Sequence, residues 1–468
     1  MKGIMYFRSD LRMHDNTALY HASKVCTDGL LAVYYIPTKT LKSHHVSGNK
    51  LAFILAHLKL LQTDLNQRNI NLQVRQVATF NDCVDDIMQL MEYHHCDALF
   101  FNKEYEWDEL QRDAALLATA KAAGKKVETF DDQLVFAAGE ILTPKHKTYS
   151  VFTPFKKAWL TKLSRLTDIK TYGLPARQSK KLGKNSPIPL EVPGFAGNID
   201  LTIWPAGEKA AQKRLKHFVA NKLQKYEKDR DYPAIDGTSR LSPYLAIGII
   251  STRQCISLLE NKNNSWLDEL IWREFYKHVS YNFPHVCKGH AFKQTYDALS
   301  WQNNKNWQQA WFQGKTGFPI VDAAMRQLQQ TGWMHNRLRM ITAMFFSKLI
   351  DQDWRIGEAY FMKNLIDGDF SANNGGWQWS ASTGTDAAPY FRIFNPWRQS
   401  ETFDPEGNFI KQYCPELKEF SRKAVHNPYV FEPELAEKSG YPQPILDYKV
   451  CREAAIKKFK DFNAKHKK

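Results

Sequence analysis

The stretch Trp333–Pro396 concentrates residue types that make a poor apolar core. Trp333-Met-His-Asn336-Arg337-Leu-Arg339-Met340 leads into Asp367-Gly368-Asp369, then Asn373-Asn-Gly-Gly-Trp377-Gln-Trp379, and closes near Asn395-Pro396. Buried polar groups are costly unless partnered, so this stretch reads as the lining of a site. A second set lies upstream. Trp266, Glu269, Arg273 and Tyr276 fall at i, i+3, i+7 and i+10, with Trp272 beside them; on a helix that spacing gives one face. Indoles offer stacking surface to planar rings and can pass on an electron, carboxylates and amides orient polar ring edges, and arginine holds negative charge. Ten of the 13 tryptophans lie between Trp266 and Trp397, a concentration that packing alone does not require. A third set is the turn Gly237-Thr238-Ser239-Arg240-Leu241-Ser242, where hydroxyls and a helix start can face a phosphate.

These sets need elements to position them. Residues 1–131 alternate apolar runs (4–7, 30–36, 72–77, 98–101, 126–130) with helical stretches near 49–67, 80–94 and 105–123. Alternating β and α predicts a doubly wound parallel sheet. No GxGxxG or Walker A sequence follows any strand, so a standard nucleotide site is not expected there. Residues 132–200 are rich in Pro, Gly and Lys and read as an extended linker, apart from a short helix in Tyr149–Leu160. From 201 to 468 the pattern is helical, with Trp266–Tyr281, 319–330 and 334–350 as the clearest helices. On 319–330, Ile320, Ala324 and Leu328 read as core. The expectation is an α/β domain, a linker and an all-α domain.

The 468 residues carry a net charge of +15 and a pI near 9.2. That balance suits DNA, RNA or anionic lipid as a partner. The apolar runs fall far short of the ~20 residues needed to cross a membrane. The N-terminus carries Lys2, Arg8, Asp10, Arg12 and Asp15, with no signal-peptide core. A cytoplasmic, nucleoid-associated monomer is expected. The seven cysteines are scattered without zinc spacing, so no metal is expected. The tail Lys449–Lys468 holds eight Lys/Arg and reads as a solvated basic helix.

Taken together, the motifs resemble the photolyase/cryptochrome family, from Phe7 to about Tyr448. Phe7-Arg8-Ser9-Asp10-Leu11-Arg12 with Asp15-Asn16 matches its amino-terminal signature. The chain is most similar to class I cyclobutane pyrimidine dimer photolyases, which are carbon–carbon lyases. The resemblance implies an N-terminal antenna domain and a helical FAD domain. It implies FAD contacts at Tyr226, Thr238, Ser239, Arg240, Leu241, Ser242, Trp266 and Arg273, and at Arg339, Asp367, Gly368, Asp369 and Asn373. Asn373 would face flavin N5, and Arg339, able to pair with Asp367, would favour the reduced, anionic flavin.

A methenyltetrahydrofolate antenna is implied at His44, Asp108, Glu109, Cys287 and Lys288. Asp108 stands where the family has Asn. Trp301, Trp354 and Trp377 match the family's three-tryptophan relay. Damaged DNA would be bound by Arg230, Glu269, Trp272, Arg273, Tyr276, Trp311, Asn336, Arg337, Met340 and Gln399. Trp272 and Trp311 would sandwich the dimer, while Glu269 and Asn336 bond to it. Photolyases belong to the enzymes that extrude their target from the duplex. The implied reaction is electron transfer from light-excited reduced FAD to the flipped-out dimer.

Three rivals are weighed against this reading. A six-four photolyase carries a histidine pair where this chain has Asn336 and Met340. A cryptochrome-like blue-light receptor commonly adds a long C-terminal extension and often replaces the residues at Asn373 and Glu269. A plain flavin oxidoreductase needs a substrate base and a nicotinamide site, and neither is visible.

Overall fold

The computed structural model describes residues 1–262 and 264–466; Lys467 and Lys468 of the basic tail lie outside the described residues. Packing divides the chain into two compact units, neither of them one run of sequence. One comprises Met1–Gln224, Ser239–Cys287 and Ile366–Ser371; the other comprises Lys225–Thr238, Lys288–Leu365 and Ala372–Lys468. This division differs from the expected cuts at 131 and 200.

The first unit holds five parallel strands: β1 Gly3–Phe7, β2 Leu30–Pro37, β3 Asn71–Val77, β4 Ala98–Asn102 and β5 Lys126–Phe130. Their order is β3-β2-β1-β4-β5, with Gly3 opposite both Leu30 and Ala98. The interior strands are continuous apolar runs because helices cover both faces; β1 and β4 are buried throughout. Helices of eight residues or more are numbered in chain order. In this unit they are α1 Thr17–Val25, α2 Gly48–Asn66, α3 Phe80–Tyr93, α4 Trp107–Ala122, α5 Phe152–Leu163, α6 Glu208–Asn221 and α7 Ser265–Asn282. Local chemistry sets their starts. Asn16 accepts from the Leu19 amide at the head of α1, and Thr79 and Asp82 form a capping box on α3.

Two features explain why the linker and residues 239–287 join the sheet. The polar linker covers the open edge of β3. The Ser186 amide donates to the Leu72 carbonyl at 3.2 Å, and the Val74 amide donates to Ser186 Oγ at 2.6 Å. An edge strand left bare invites pairing with other chains. Residues 239–287 are locked on by charge. Arg253 lies 3.0 Å from Asp15 and 2.7 Å from Asp132, and Asp132 also pairs with Arg12. All four side chains are buried. Burial alone would raise the Asp132 pKa, but Arg12 and Arg253 hold it well below the usual range. Gly248, at φ +68°, sits where a Cβ would lie 2.1 Å from the Ser9 carbonyl oxygen, so only glycine permits this approach.

The second unit is helical: α8 Lys305–Gln313, α9 Pro319–Thr331, α10 Asn336–Met344, α11 Trp354–Asn364, α12 Phe370–Ala381 (from Ala372 onward), α13 Pro396–Phe403 and α14 Tyr448–Lys465. Its core joins α9, α10 and α11 around Trp311, Phe346, Phe361 and Trp377. The helix expected over 334–350 starts at Asn336, where His335 Nδ1 accepts from the Arg337 amide, and ends in a π-turn, Phe345–Leu349. That turn buries Lys348, whose Nζ reaches the carbonyls of Arg392, Pro389 and Tyr390 at 3.1–3.5 Å. Among the described residues no helix is long and apolar enough to cross a membrane.

Candidate active site

In the first unit, α7 presents the clearest open face. Asn264 caps it by accepting from the Leu267 amide. Leu267, Leu270, Ile271 and Phe275 are buried. Glu269, Trp272, Arg273 and Tyr276, at i, i+3, i+4 and i+7, remain partly exposed. Trp266 departs from the expected face. It is buried and packs on Phe218 of α6, ring centroids 4.9 Å apart. The apolar demand of the core takes it, since one turn earlier the helix faces inward. The Arg273 guanidinium is held by the carbonyls of Gln133 (3.0 Å) and Leu245 (3.5 Å).

Asp367-Gly368-Asp369 is fixed by two lysines. Lys277 Nζ lies between Glu106 and Asp369, 3.0 Å from the latter, and Lys50 Nζ donates to the Gly368 carbonyl at 2.6 Å. Ser371 Oγ donates to Glu106 at 2.7 Å. Burial alone would depress the Lys277 pKa, but Asp369 and Glu106 outweigh it and raise it, so the ammonium is retained. Asp367 is buried. In the phosphate-type turn, Arg240 adopts φ +49° and the Leu241 amide donates to Ser239 Oγ at 3.4 Å. The Leu241 side chain is buried, so of this residue only the backbone can meet a ligand, beside the hydroxyls of Ser239 and Ser242 and the partly exposed Arg240.

A separate cluster gathers around His44. Its Nε2 lies 2.8 Å from Asp108, and its Nδ1 lies 3.7 Å from Glu109. Burial, reinforced by Glu106 and Glu104, pushes the Glu109 carboxyl up to about 7. Cys287 Sγ donates to the Ser280 carbonyl at 3.8 Å, and burial raises its thiol to about 12, so it stays protonated at neutral pH. This carboxyl–imidazole set can accept hydrogen bonds from the amino edge of a planar heterocycle.

In the second unit, α12 carries an open face of Ala372, Asn373, Gly376 and Trp379, while Asn374, Trp377 and Gln378 are buried. A Cβ built on Gly376 meets no atom within 4 Å. The Asn373 amide nitrogen donates to the Glu358 carbonyl at 3.1 Å, which leaves Oδ1 as the end suited to accept from a ring N–H. A small-residue face with one asparagine and one indole fits a flat heterocycle such as a flavin. Asn336 is exposed at the start of α10. Arg337 pairs with Asp231 at 2.8 Å and lies 4.3 Å over the Phe403 ring. Arg339 Nε donates to the Met334 carbonyl at 2.9 Å, and Met340 is partly exposed. Tyr226 is buried, with the Arg230 guanidinium 5.3 Å over its ring. Thr238 and Lys288 also fall in this unit, and Lys288 is exposed. Gln399 Oε1 is buried without a hydrogen-bond partner.

The three tryptophans expected to form a relay differ in burial. Trp301 is partly exposed, with Lys458 Nζ 4.5 Å over its ring. The Gln302 amide donates to the Asp351 carbonyl at 2.9 Å, just before α11 begins at Trp354. Trp354 and Trp377 are 1% and 2% exposed. One turn along α11, Gly357 admits the Trp377 indole so closely that a Cβ there would lie 2.1 Å from it.

Trp311 contradicts the expectation of a lesion-stacking ring. It is 0% exposed, donates from Nε1 to the Thr342 carbonyl at 3.2 Å, and packs against Phe346 and Phe361. A ring enclosed on every side has no face for a base. Trp379, half-buried on the open face of α12, is a candidate site residue that the sequence motifs do not mark. Its signal was its place seven residues after Ala372 and three after Gly376 on one helical face.

The model of the "FAD binding domain of DNA photolyase" matches residues 266–461, and that of "DNA photolyase" matches residues 3–176. The chain is 44% identical over 470 residues to a deoxyribodipyrimidine photo-lyase of Salmonella typhimurium, covering 97% of each. Among solved structures it resembles a class III photolyase from Agrobacterium tumefaciens (TM-score 0.85, 30% identity, 99% of this chain and 98% of that one). It also resembles an archaeal photolyase from Sulfolobus tokodaii with two FAD molecules (TM-score 0.79, 30% identity, 98% and 100% covered).

Proposed function

The chain belongs to the DNA photolyase family, and from that premise we infer that it repairs cyclobutane pyrimidine dimers in DNA by light-driven electron transfer, with FAD as its photoactive group. The observation that carries the reading is the partly exposed indole of Trp272 beside the partly exposed Glu269 carboxylate on α7, a pairing suited to an unstacked base pair and not to a packed core. The cryptochrome reading has less support, since Glu269 and Asn373 are both present.

FAD, when bound, supplies the electron that opens the cyclobutane ring and takes it back. The protein supplies position and electrostatics. Basic residues such as Arg230 and Arg337 draw in the phosphate backbone, with salt-dependent affinity. Trp272 stacks on the extruded lesion, and Glu269 and Asn336 hydrogen-bond to its polar edges. Trp379 replaces Trp311 as the second stacking ring, because it is only partly buried while Trp311 is fully enclosed. Asp367, Asp369 and Asn373 would hold the polar groups of the flavin ring and ribose, and Ser239 and Ser242 would hold its diphosphate. Trp301, Trp354 and Trp377 carry an electron inward.

A folate antenna is the further part of the proposal, held by Glu109 and His44 with Asp108, Cys287 and Lys288. It would pass absorbed light to the flavin. In this scheme residues 1–131 carry the antenna and 201–468 carry catalysis, in a cytoplasmic monomer. The deciding experiment illuminates reduced, flavin-loaded protein with blue light in the presence of a thymine-dimer oligonucleotide, beside a dark control. Light-dependent recovery of intact thymines is expected. Flavin absorption with no repair would overturn the enzyme reading.

A further inference from the structure

We propose that Phe152, at the start of α5, is a positioning residue for lesion recognition: its ring backs Trp272, so that the lesion meets a preformed two-ring stack. The proposal rests on the stacking role of Trp272 given above. The two ring centroids lie 3.6 Å apart with planes 7° from parallel. Aromatic pairs prefer offset or edge-to-face arrangements over direct overlap, so the surrounding packing imposes this one.

That packing is a helix laid along a helix. Phe152, Phe155 and Trp159, at i, i+3 and i+7, form one face of α5. Phe155 meets Phe275 at 5.2 Å and His278 at 5.1 Å. Trp159 Nε1 donates to Glu274 at 2.7 Å. The same carboxyl accepts from the amides of Val135 and Phe136 at 2.9 and 3.1 Å. On the flank, Lys156 pairs with Asp268 at 2.7 Å. Thus α5 splints α7 over three turns, and Phe152 is the end of the splint that touches a functional ring. Tyr276, one turn on, packs beside it, 5.4 Å from Trp272 and tilted by 31°.

The consequence concerns binding. A half-exposed indole loses rotamer freedom when a base stacks on it, and that loss weakens affinity. With one face already covered by Phe152, Trp272 is ordered before DNA arrives and presents its other face. Base–aromatic stacking is strong enough for its preorganisation to be measurable.

The test uses the full-length, flavin-loaded protein in the dark. Phe152→Met and Phe152→Leu remove the ring, Phe152→Tyr keeps it, and Trp272→Ala is the control. Binding of a thymine-dimer duplex and of its undamaged counterpart is measured by titration, with flavin content and Tm recorded for each variant. Loss of the ring is expected to weaken dimer binding about five- to tenfold and undamaged binding by less than about twofold, with Phe152→Tyr restoring it. Under light the loss falls on KM more than on kcat. Neither ring-removing substitution adds to the loss when placed on Trp272→Ala. Equal weakening on both duplexes, or none while Trp272→Ala weakens dimer binding, overturns the proposal. Unchanged dimer binding by Trp272→Ala overturns the stacking role of Trp272 itself, and the proposal with it.

Discussion

Arg337 and Asp231 form an ion pair at 2.8 Å, with the guanidinium also lying over the Phe403 ring. If Arg337 is to neutralise a phosphate, it must first give up this carboxylate. Asp231→Asn should therefore tighten binding to undamaged DNA, by roughly 0.5–1 kcal/mol for a partly exposed pair. It should also steepen the plot of log affinity against log salt by about one unit. Anisotropy titrations at several salt concentrations read both. An unchanged slope would show that Arg337 makes no phosphate contact.

Glu269 stands on the open face of α7, away from the buried residues that hold the helix in place. Glu269→Ala is expected to slow repair by about 10–100-fold, the scale of a lost charge-assisted hydrogen bond at the reacting group. Flavin content should stay near that of the unsubstituted protein. Loss of FAD from the variant would place Glu269 among the flavin contacts instead.

Trp377→Phe should block light-driven reduction of oxidised flavin while sparing repair by protein already reduced. Transient absorption and a repair assay separate the two. Gly357→Ala tests the same contact from the other helix. Its Cβ would sit 2.1 Å from the indole, and overpacking of this kind costs about 1–3 kcal/mol. A clear fall in Tm is expected, with photoreduction impaired in proportion to the displacement of Trp377. Photoreduction that survives Trp377→Phe would end the relay assignment.

Lys348 provides a pH test. Burial, and then Arg392, lowers its pKa from 10.5 to about 7. Between those values the unfolded chain holds a proton that the folded chain does not, so stability from this residue rises with pH across that window and is lost as pH falls toward 7. Lys348→Met removes the dependence. The stability of the unsubstituted protein relative to the variant should rise by about 1–4 kcal/mol from pH 7 to 10.5. Tm measured for both proteins across that range checks the sign.

The sheet was legible because parallel strands covered on both faces are short apolar runs: 4–7, 30–36, 72–77, 98–101 and 126–130 lie within a residue of the observed strands. α7 was legible from its period. Which side of α7 stays open was less so. Period alone could not tell that Trp266 would be drawn onto Phe218 while Glu269 stayed out. The same ambiguity hid Trp379 behind Trp311, since an indole in sequence carries no mark of its exposure. The polar linker read as a solvated connection, yet Asn185 and Ser186 supply the hydrogen bonds that β3 lacks at its edge. Long-range ion pairs such as Arg253 with Asp132 leave no local pattern at all.

That last pair bears on how the chain is made. Synthesis proceeds from the N-terminus, and domains begin to fold as they emerge. The fifth strand ends at Phe130, but the guanidinium that completes the Asp15–Asp132–Arg12 cluster arrives 121 residues after Asp132. Until then Arg12 answers the Asp132 carboxylate and only the backbone carbonyl of Asp15, so the Asp15 carboxylate lacks its arginine, and an uncompensated buried charge is strongly destabilising. The nascent N-terminal part therefore waits, incompletely closed, for Arg253 to emerge. A fragment ending at 224 keeps every strand and still lacks the residue that shuts them in.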